Sequence, residues 1–471
     1  MMKKLFYSLI VIMLSLFSNA QDITGQWYGM LKVPSGQLRL VFKIGKEGDL
    51  YHARMDSPDQ NAFGFKATSV QFEMSELTIT LNELMIEYSG KLDNETINGN
   101  FKQAGMSFPL VLSKEVIGKK VINRPQEPVG PFPYLIEDVI FENTTDKIKL
   151  AGTLTVPSEK EVFPAVVLIS GSGHQNRDEE IFGHKPFWVI ADHLTRNGIA
   201  VLRFDDRGVA NSEGNFAEAT SFDFARDVNS AIEFLKNRKE INQKQIGLIG
   251  HSEGGIIAPM VASESSDVAF IVLLAGTGIR GDDLLLLQQQ LIGRVYGSSD
   301  EELKQAASIN KELFGIISKI QNTEELTKAL TQSLNEHMKN IPQAQKPQGI
   351  SDEDFVTMQV KQLVNPWMRF FLAYDPAPVL RKVSCPVLAL NGEKDLQVPP
   401  RENLSTIEKS LKEGGNDLVT VIQMPGLNHL FQQCVTGSPA EYAEIEQTFS
   451  PLALAEISNW INNILNNKNK Q

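Results

Sequence analysis

Four short, almost unbroken apolar runs stand out in the middle of the chain: Val166 to Ile169, Ala200 to Phe204 (broken only by Arg203), Ile246 to Ile249 and Phe270 to Leu274. A strand with one wet face alternates apolar and polar residues, so runs that are apolar on both faces predict parallel strands covered on both sides by helices. Helical periodicity lies between them. Phe224, Val228, Ala231, Ile232 and Leu235 fall on one helix face, and Asn197-Gly198 closes an earlier helix that starts near Pro186. Two further strand-like runs come late, Cys385 to Leu390 and Leu418 to Met424. From Gly281 to Tyr374 the strand pattern stops and polar-amphipathic helical stretches replace it. Structureless loops of that length are uncommon in compact domains, so a helical insertion is expected over residues 281–375. It reads as a cap over the strand ends, the alternative being a peripheral insertion without substrate contact.

The N-terminal pattern differs. Gln26 to Leu31, Leu38 to Ile44, Leu77 to Leu81 and Phe108 to Leu112 are short strand-like runs, with strict alternation clearest at Leu77 to Leu81. Gly/Asn/Asp turns such as Gly99-Asn100 separate them, which predicts an antiparallel barrel or sandwich over 22–118. Residues 119–133 hold four prolines and read as a linker. An α/β domain is then expected over 134–280 and 376–468.

Candidate chemistry sits at the end of the third central run. Gly250-His251-Ser252-Glu253-Gly254 lies where Ile246 to Ile249 gives way to Gly255 and an Ile/Ala/Met-rich segment, a strand-to-helix turn. In that context G-x-S-x-G predicts a nucleophile elbow with a strained serine backbone and flanking glycines that avoid collisions. The acid and then the histidine should follow in chain order, each on a loop after a late strand. Downstream of Ser252 only two of the seven histidines remain, and His337 lies in a polar helical stretch with no strand before it. His429, after the run ending at Met424 and the turn Pro425 to Asn428, is therefore the expected base. The loop Asn391-Gly392-Glu393-Lys394-Asp395 carries the acid; Asp395 is preferred by position, with Glu393 the alternative.

These words are specific enough to suggest a family. Gly250 to Gly255, Asn391 to Pro399 and Gly426-Leu427-Asn428-His429 resemble the bacterial EstD-like carboxylesterases of the α/β-hydrolase superfamily. Ile169 to Gly173 with Asn176 to Glu179 resembles the family's oxyanion-side loop, and Arg203 to Gly208 its turn after the next strand. The resemblance covers residues 133–467. It departs at Ala210 and Asn211, where relatives tend to carry a glycine, and at His174, where a proline is usual. It implies an α/β-hydrolase fold and a Ser252–His429–Asp395 triad acting through an acyl-enzyme. The backbone N–H groups of Glu253 and Ser172 would form the oxyanion hole.

Other polar residues get plainer readings. Asp206 and Arg207 are expected to brace a turn, and His251 to point away from the triad without a catalytic role. Trp367, Phe370, Phe371 and Tyr374 share a helix side and read as core at the cap junction, or as the wall of an acyl pocket.

Composition narrows the setting. Lys3-Lys4, the apolar Leu5 to Phe17 and Ser18-Asn19-Ala20 form a secretory leader over residues 1–20, so a mature chain from Gln21, periplasmic or secreted, is expected. No second long apolar segment follows, and no membrane span is expected after leader removal. The net charge of -12 disfavours nucleic acid and anionic lipid surfaces as partners. Cys385 and Cys434 are the only cysteines, and Cys385 opens a buried strand, so separate thiols are favoured over a disulfide. No His/Cys ligand cluster is apparent, and neither metal nor organic cofactor is expected. The partner expected is a small-molecule ester. An exported peptidase with the same triad, or a non-catalytic envelope-binding protein, are the other classes.

Overall fold

The computed structural model describes residues 22–33, 36–60, 62–103, 106–117, 123–158, 162–341, 346 and 351–468. The expected leader lies outside them. The described residues fall into two compact units, those of 22–32 and 38–117 in one, and those of 33, 36–37 and 123–468 in the other. No disulfide joins Cys385 and Cys434. Among the described residues no helix is long and apolar enough to cross a membrane.

The first unit is one antiparallel sheet of β1 (Gly25–Val33), β2 (Gly36–Glu47), β3 (Leu50–Ser57), β4 (Ala62–Lys66), β5 (Ser69–Glu73), β6 (Glu76–Leu81), β7 (Ile86–Asp93), β8 (Thr96–Gln103) and β9 (Met106–Ser113). Its order is β4-β3-β2-β1-β9-β8-β7-β6-β5. Alternation sends Leu77, Ile79 and Leu81 of β6 inward, where Trp27, Phe42, Tyr88 and Phe101 are also buried. The turn expected at Gly99-Asn100 is instead inside β8, with Gly99 opposite Gly90 of β7. A Cβ on Gly99 would fall 2.2 Å from Ser89 O, so close strand approach demands that glycine. The chain reverses earlier, at Asn94, whose φ is 54°.

The second unit builds an eight-stranded sheet in the order β10-β11-β13-β12-β14-β15-β16-β17. Its strands are β10 (Tyr134–Asn143), β11 (Ile148–Pro157), β12 (Phe163–Ile169), β13 (Ala200–Phe204), β14 (Ile241–His251), β15 (Val268–Leu274), β16 (Val387–Gly392) and β17 (Val419–Met424). The pairings from β13 through β12 and on to β17 are parallel, while β10, β11 and β13 pair antiparallel. Every residue of β13, β15 and β16 is buried, as strands covered on both faces must be. Helices α1 (Pro186–Arg196), α2 (Ser221–Lys236) and α3 (Gly254–Glu264) follow β12, β13 and β14. After β15 come α4 (Gly281–Val295), α5 (Asp300–Lys319), α6 (Thr323–Asn340), α7 (Asp352–Leu363), α8 (Pro366–Ala373) and the short α9 (Ala377–Leu380). Helix α10 (Pro400–Glu413) follows β16, and α11 (Pro451–Lys468) ends the unit. Residues of α2, α3 and α10 share one core with the sheet, and those of α1 and α11 the other.

The insertion between β15 and β16 is helical and has its own apolar core, including Leu313, Leu326, Leu330, Leu334 and Val356. Ser299, Asn322, Ser351 and Asn365 each cap a helix by accepting a backbone N–H. The insertion leaves and re-enters side by side, with Gly281 N donating to Tyr374 O at 3.1 Å. The described part of the proline-rich segment is tied into this unit, since Gln126 donates to Phe449 O at 2.6 Å and accepts from Thr448 N at 2.7 Å.

Candidate active site

Ser252 stands between β14 and α3 with φ +53°, a left-handed backbone that a side chain other than glycine rarely adopts. The local packing enforces it. A Cβ on Gly250 would sit 2.0 Å from Gly254 O, and one on Gly254 would sit 2.2 Å from Ile169 O, so this turn tolerates only glycine at both places. Ser252 N donates to Leu274 O at 2.8 Å, which pins the turn to β15. The hydroxyl is thereby held out at the end of the sheet, half-buried, beside a helix N-terminus.

Asp395 and His429 meet on the neighbouring loops after β16 and β17. His429 Nδ1 lies 2.8 Å from Asp395 Oδ2, and both side chains are buried. Asp395 Oδ1 accepts Gln397 N and Val398 N, each at 2.8 Å, which fixes the carboxylate and leaves Oδ2 for the ring. Asn428, fully buried, accepts Leu430 N at 3.0 Å and Gln432 N at 2.9 Å, holding the histidine loop in shape. Glu393 takes a different task, accepting Gly426 N at 2.8 Å. His337 lies on α6, 3.1 Å from Glu312. Among the described residues Ser252 Oγ makes no hydrogen bond. Serine–histidine contacts are often loose until substrate is bound.

The loop after β12 closes on the serine. A Cβ on Gly171 would lie 3.2 Å from Ser252 Cβ, so this loop passes close to Ser252. Neither Ser172 N–H nor Glu253 N–H donates a hydrogen bond among the described residues, which leaves both free to receive a ligand oxygen. Arg177 ties the loop down through Asp205 at 2.8 Å and Gly152 O at 2.8 Å. Asp206 braces it from below, accepting Ser170 Oγ at 2.6 Å and Gln175 N at 3.1 Å. Burial drives the Asp206 pKa well above the ordinary carboxylate range. Arg207 braces elsewhere, paired with Asp227 at 2.7 Å and Asp146 at 2.7 Å.

Two relationships escaped the sequence reading. His251 does not point away from the triad region: its Nε2 lies 3.0 Å from the carbonyl oxygen of His429, and its ring centre 4.9 Å from that ring. Its Nδ1 lies 2.9 Å from Glu179 Oε1. Glu253, meanwhile, turns its side chain inward, where Oε1 accepts Ser221 Oγ at 2.6 Å and Trp367 Nε1 at 2.7 Å. Burial without a cation raises its pKa. Trp367 stacks on Phe371 at 5.0 Å and Phe370 on Tyr374 at 5.5 Å, all packed on the core that includes α3. No motif flags a hydrogen bond between residues this far apart in sequence.

A family model described as alpha/beta hydrolase fold matches residues 164–432, more than half of the chain. The chain belongs to that family. Among relatives, it is 26% identical over 317 residues to Esterase EstD of Thermotoga maritima, across 66% of this chain and 65% of that protein. It therefore spans a little under two thirds of that relative's length. An uncharacterized Escherichia coli O157:H7 protein, YfhR, is 25% identical over 150 residues, covering 31% of this chain and 48% of its own. Among solved structures, the Pyrococcus furiosus esterase Pf2001 aligns with a TM-score of 0.41 at 16% identity, over 74% of this chain and 99% of that one. In the alpha/beta hydrolase frame, the Ser252 turn after β14, the Asp395 loop after β16 and the His429 loop after β17 occupy one end of the parallel strands, where such folds place their chemistry.

Proposed function

We propose that this protein is an exported serine hydrolase that cleaves carboxylic esters. The observation that carries the reading is the left-handed Ser252 at a glycine-enforced elbow, in a chain that also pairs His429 with Asp395. In this reading His429 Nε2 takes the Ser252 proton as Oγ attacks the ester carbonyl, and Asp395 holds the ring's tautomer and stabilises its charge. The oxyanion of the tetrahedral intermediate accepts from Ser172 N–H and Glu253 N–H. The C–O bond then breaks, the alcohol leaves with the proton from His429, and an acyl-Ser252 ester remains. Water, deprotonated by His429, attacks that ester and releases the acid while Oγ regains a proton.

The same reading takes α4 to α8 as a cap, since Trp367 reaches the residue next to Ser252, and takes residues 1–20 as an export leader. The likeness to an esterase supports ester over amide substrates. A panel of p-nitrophenyl esters of increasing acyl length, run beside aminoacyl and peptidyl amides, tests it. Ester turnover that disappears in Ser252→Ala is expected; turnover of amides in preference to esters would make the protein a peptidase, and unchanged turnover in Ser252→Ala would end the reading.

A further inference from the structure

Glu179 and His251 form a buried pair whose contacts run to both halves of the site. Glu179 Oε1 accepts Gly171 N at 2.6 Å, next to the proposed oxyanion donor Ser172, and lies 2.9 Å from His251 Nδ1. His251 Nε2 lies 3.0 Å from the backbone carbonyl of His429. Both side chains are buried, and Glu179 is held in a left-handed backbone at φ +49°, a strained conformation that the surrounding loop must over-determine.

Hydrogen-bond accounting fixes the protons. A carbonyl oxygen only accepts, so His251 Nε2 must carry hydrogen. Its Nδ1 faces a carboxyl oxygen, so the pair is either an imidazolium with a carboxylate or an imidazole with a carboxylic acid. In both forms it holds one proton more than a neutral ring beside a carboxylate would. Burial opposes the imidazolium, but the charge and hydrogen bond of Glu179, together with the His429 carbonyl and the charge of Asp395, raise the His251 pKa. The other titratable groups bearing on the pair are Asp395 and His429, on the loops after β16 and β17, and Asp206 after β13, whose charge couples to Glu179. From α1, β15 and the chain near α11 the facing residues are apolar, among them Phe187, Ile190, Leu274 and Phe449.

We propose that Glu179 and His251 are positioning residues, a one-proton clasp that sets the oxyanion loop and the His429 loop in register with each other. The clasp rests on the acyl-transfer reading for its effect on rate, but not for its proton. Loss of the proton removes the charge-assisted link at Nδ1, so the loops lose their common anchor without losing any group that touches substrate. Misplacement of reacting groups by about 1 Å costs on the order of a hundredfold in rate.

Full-length protein, Glu179→Gln and His251→Asn are compared, using p-nitrophenyl butyrate for rate and downfield ¹H NMR for the ring protons. Both variants should keep the wild-type circular dichroism and lose about tenfold to a hundredfold in kcat with KM little changed. In the wild type kcat should fall on the alkaline side as the pair gives up its proton. That limb should move to lower pH in Glu179→Gln, because His251 loses the charge that holds its proton, and should vanish in His251→Asn. Independently of activity, two downfield resonances, one from the His251 Nε2 proton and one from the proton shared between Nδ1 and Glu179, that disappear in His251→Asn should persist in Ser252→Ala and be lost or shifted in Glu179→Gln. Folded variants with wild-type kcat and an unmoved alkaline limb would overturn the clasp. So would the absence of those resonances from the wild type, even if the protein hydrolysed no ester. An inert wild type that nevertheless shows them would overturn only the acyl-transfer reading.

Discussion

Trp367 Nε1 donates to Glu253 Oε1 across 2.7 Å, so the residue after the proposed nucleophile is held by a helix of the insertion 114 positions away in sequence. Among the described residues Glu253 has no cationic partner, and it is buried, which makes each of its donors costly to lose. Trp367→Phe keeps a ring against Phe371 and removes only the indole N–H. Ser221 Oγ still donates to the same oxygen, so the loss should be that of one hydrogen bond, about 0.5–1.5 kcal/mol. Urea unfolding measures this, and a change below ~0.5 kcal/mol would mean that the bond does not anchor the insertion.

Asp395 and Glu393 share one loop but separate in space by what they accept. Asp395→Asn should lower kcat on the order of ten-thousandfold, because the amide favours the wrong imidazole tautomer. Glu393→Gln keeps an acceptor for Gly426 N and should change kcat by less than about threefold, within the range of a conservative surface change. Steady-state kinetics on one activated ester distinguishes the two, and the reverse ranking would reassign the acid.

His184 predicts an acid-side stability limb. Burial lowers its pKa to about 4, with Nε2 against Tyr442 O at 2.9 Å and Nδ1 against Thr448 Oγ1 at 3.0 Å. Because the folded state prefers the neutral ring, this contribution is fully present above the unfolded value of ~6.5 and is lost as pH falls toward about 4. The loss should be on the order of 3 kcal/mol across that window. Chemical unfolding at pH 7.5 and pH 4.5 should show it in the wild type, and a smaller slope in His184→Gln.

Ala210 holds φ at +46°. Ala210→Gly should relieve about 1 kcal/mol of left-handed strain, partly offset by the extra freedom glycine gives the unfolded chain. A thermal melt should therefore show Tm unchanged or raised by a few degrees; a clear fall would mean that the alanine methyl makes packing contacts worth more than the strain.

The sequence was most legible where physics is local. Glycines at 250 and 254 answer to collisions within one turn, and the continuous apolar runs of β13, β15 and β16 answer to burial on both faces. In the first unit the alternation of β6 was plain, but β5 and β8 were hidden by the serines, glutamates and asparagines on their open faces. The same holds at the site. Asp395 and His429 could be named from the loops that carry them, because chain order restricts the choice. Glu179, His251 and Trp367 act through contacts that span 72, 178 and 114 positions, and no spacing rule encodes those.

The central claim is that Ser252 forms a covalent acyl-enzyme. Its most direct test is stoichiometric reaction of the intact protein with a fluorophosphonate, followed by peptide mass spectrometry. One phosphonyl adduct per chain on Ser252, abolished in Ser252→Ala together with ester turnover, is the expected result. An adduct on another residue, or equal labelling of wild type and Ser252→Ala, would contradict it.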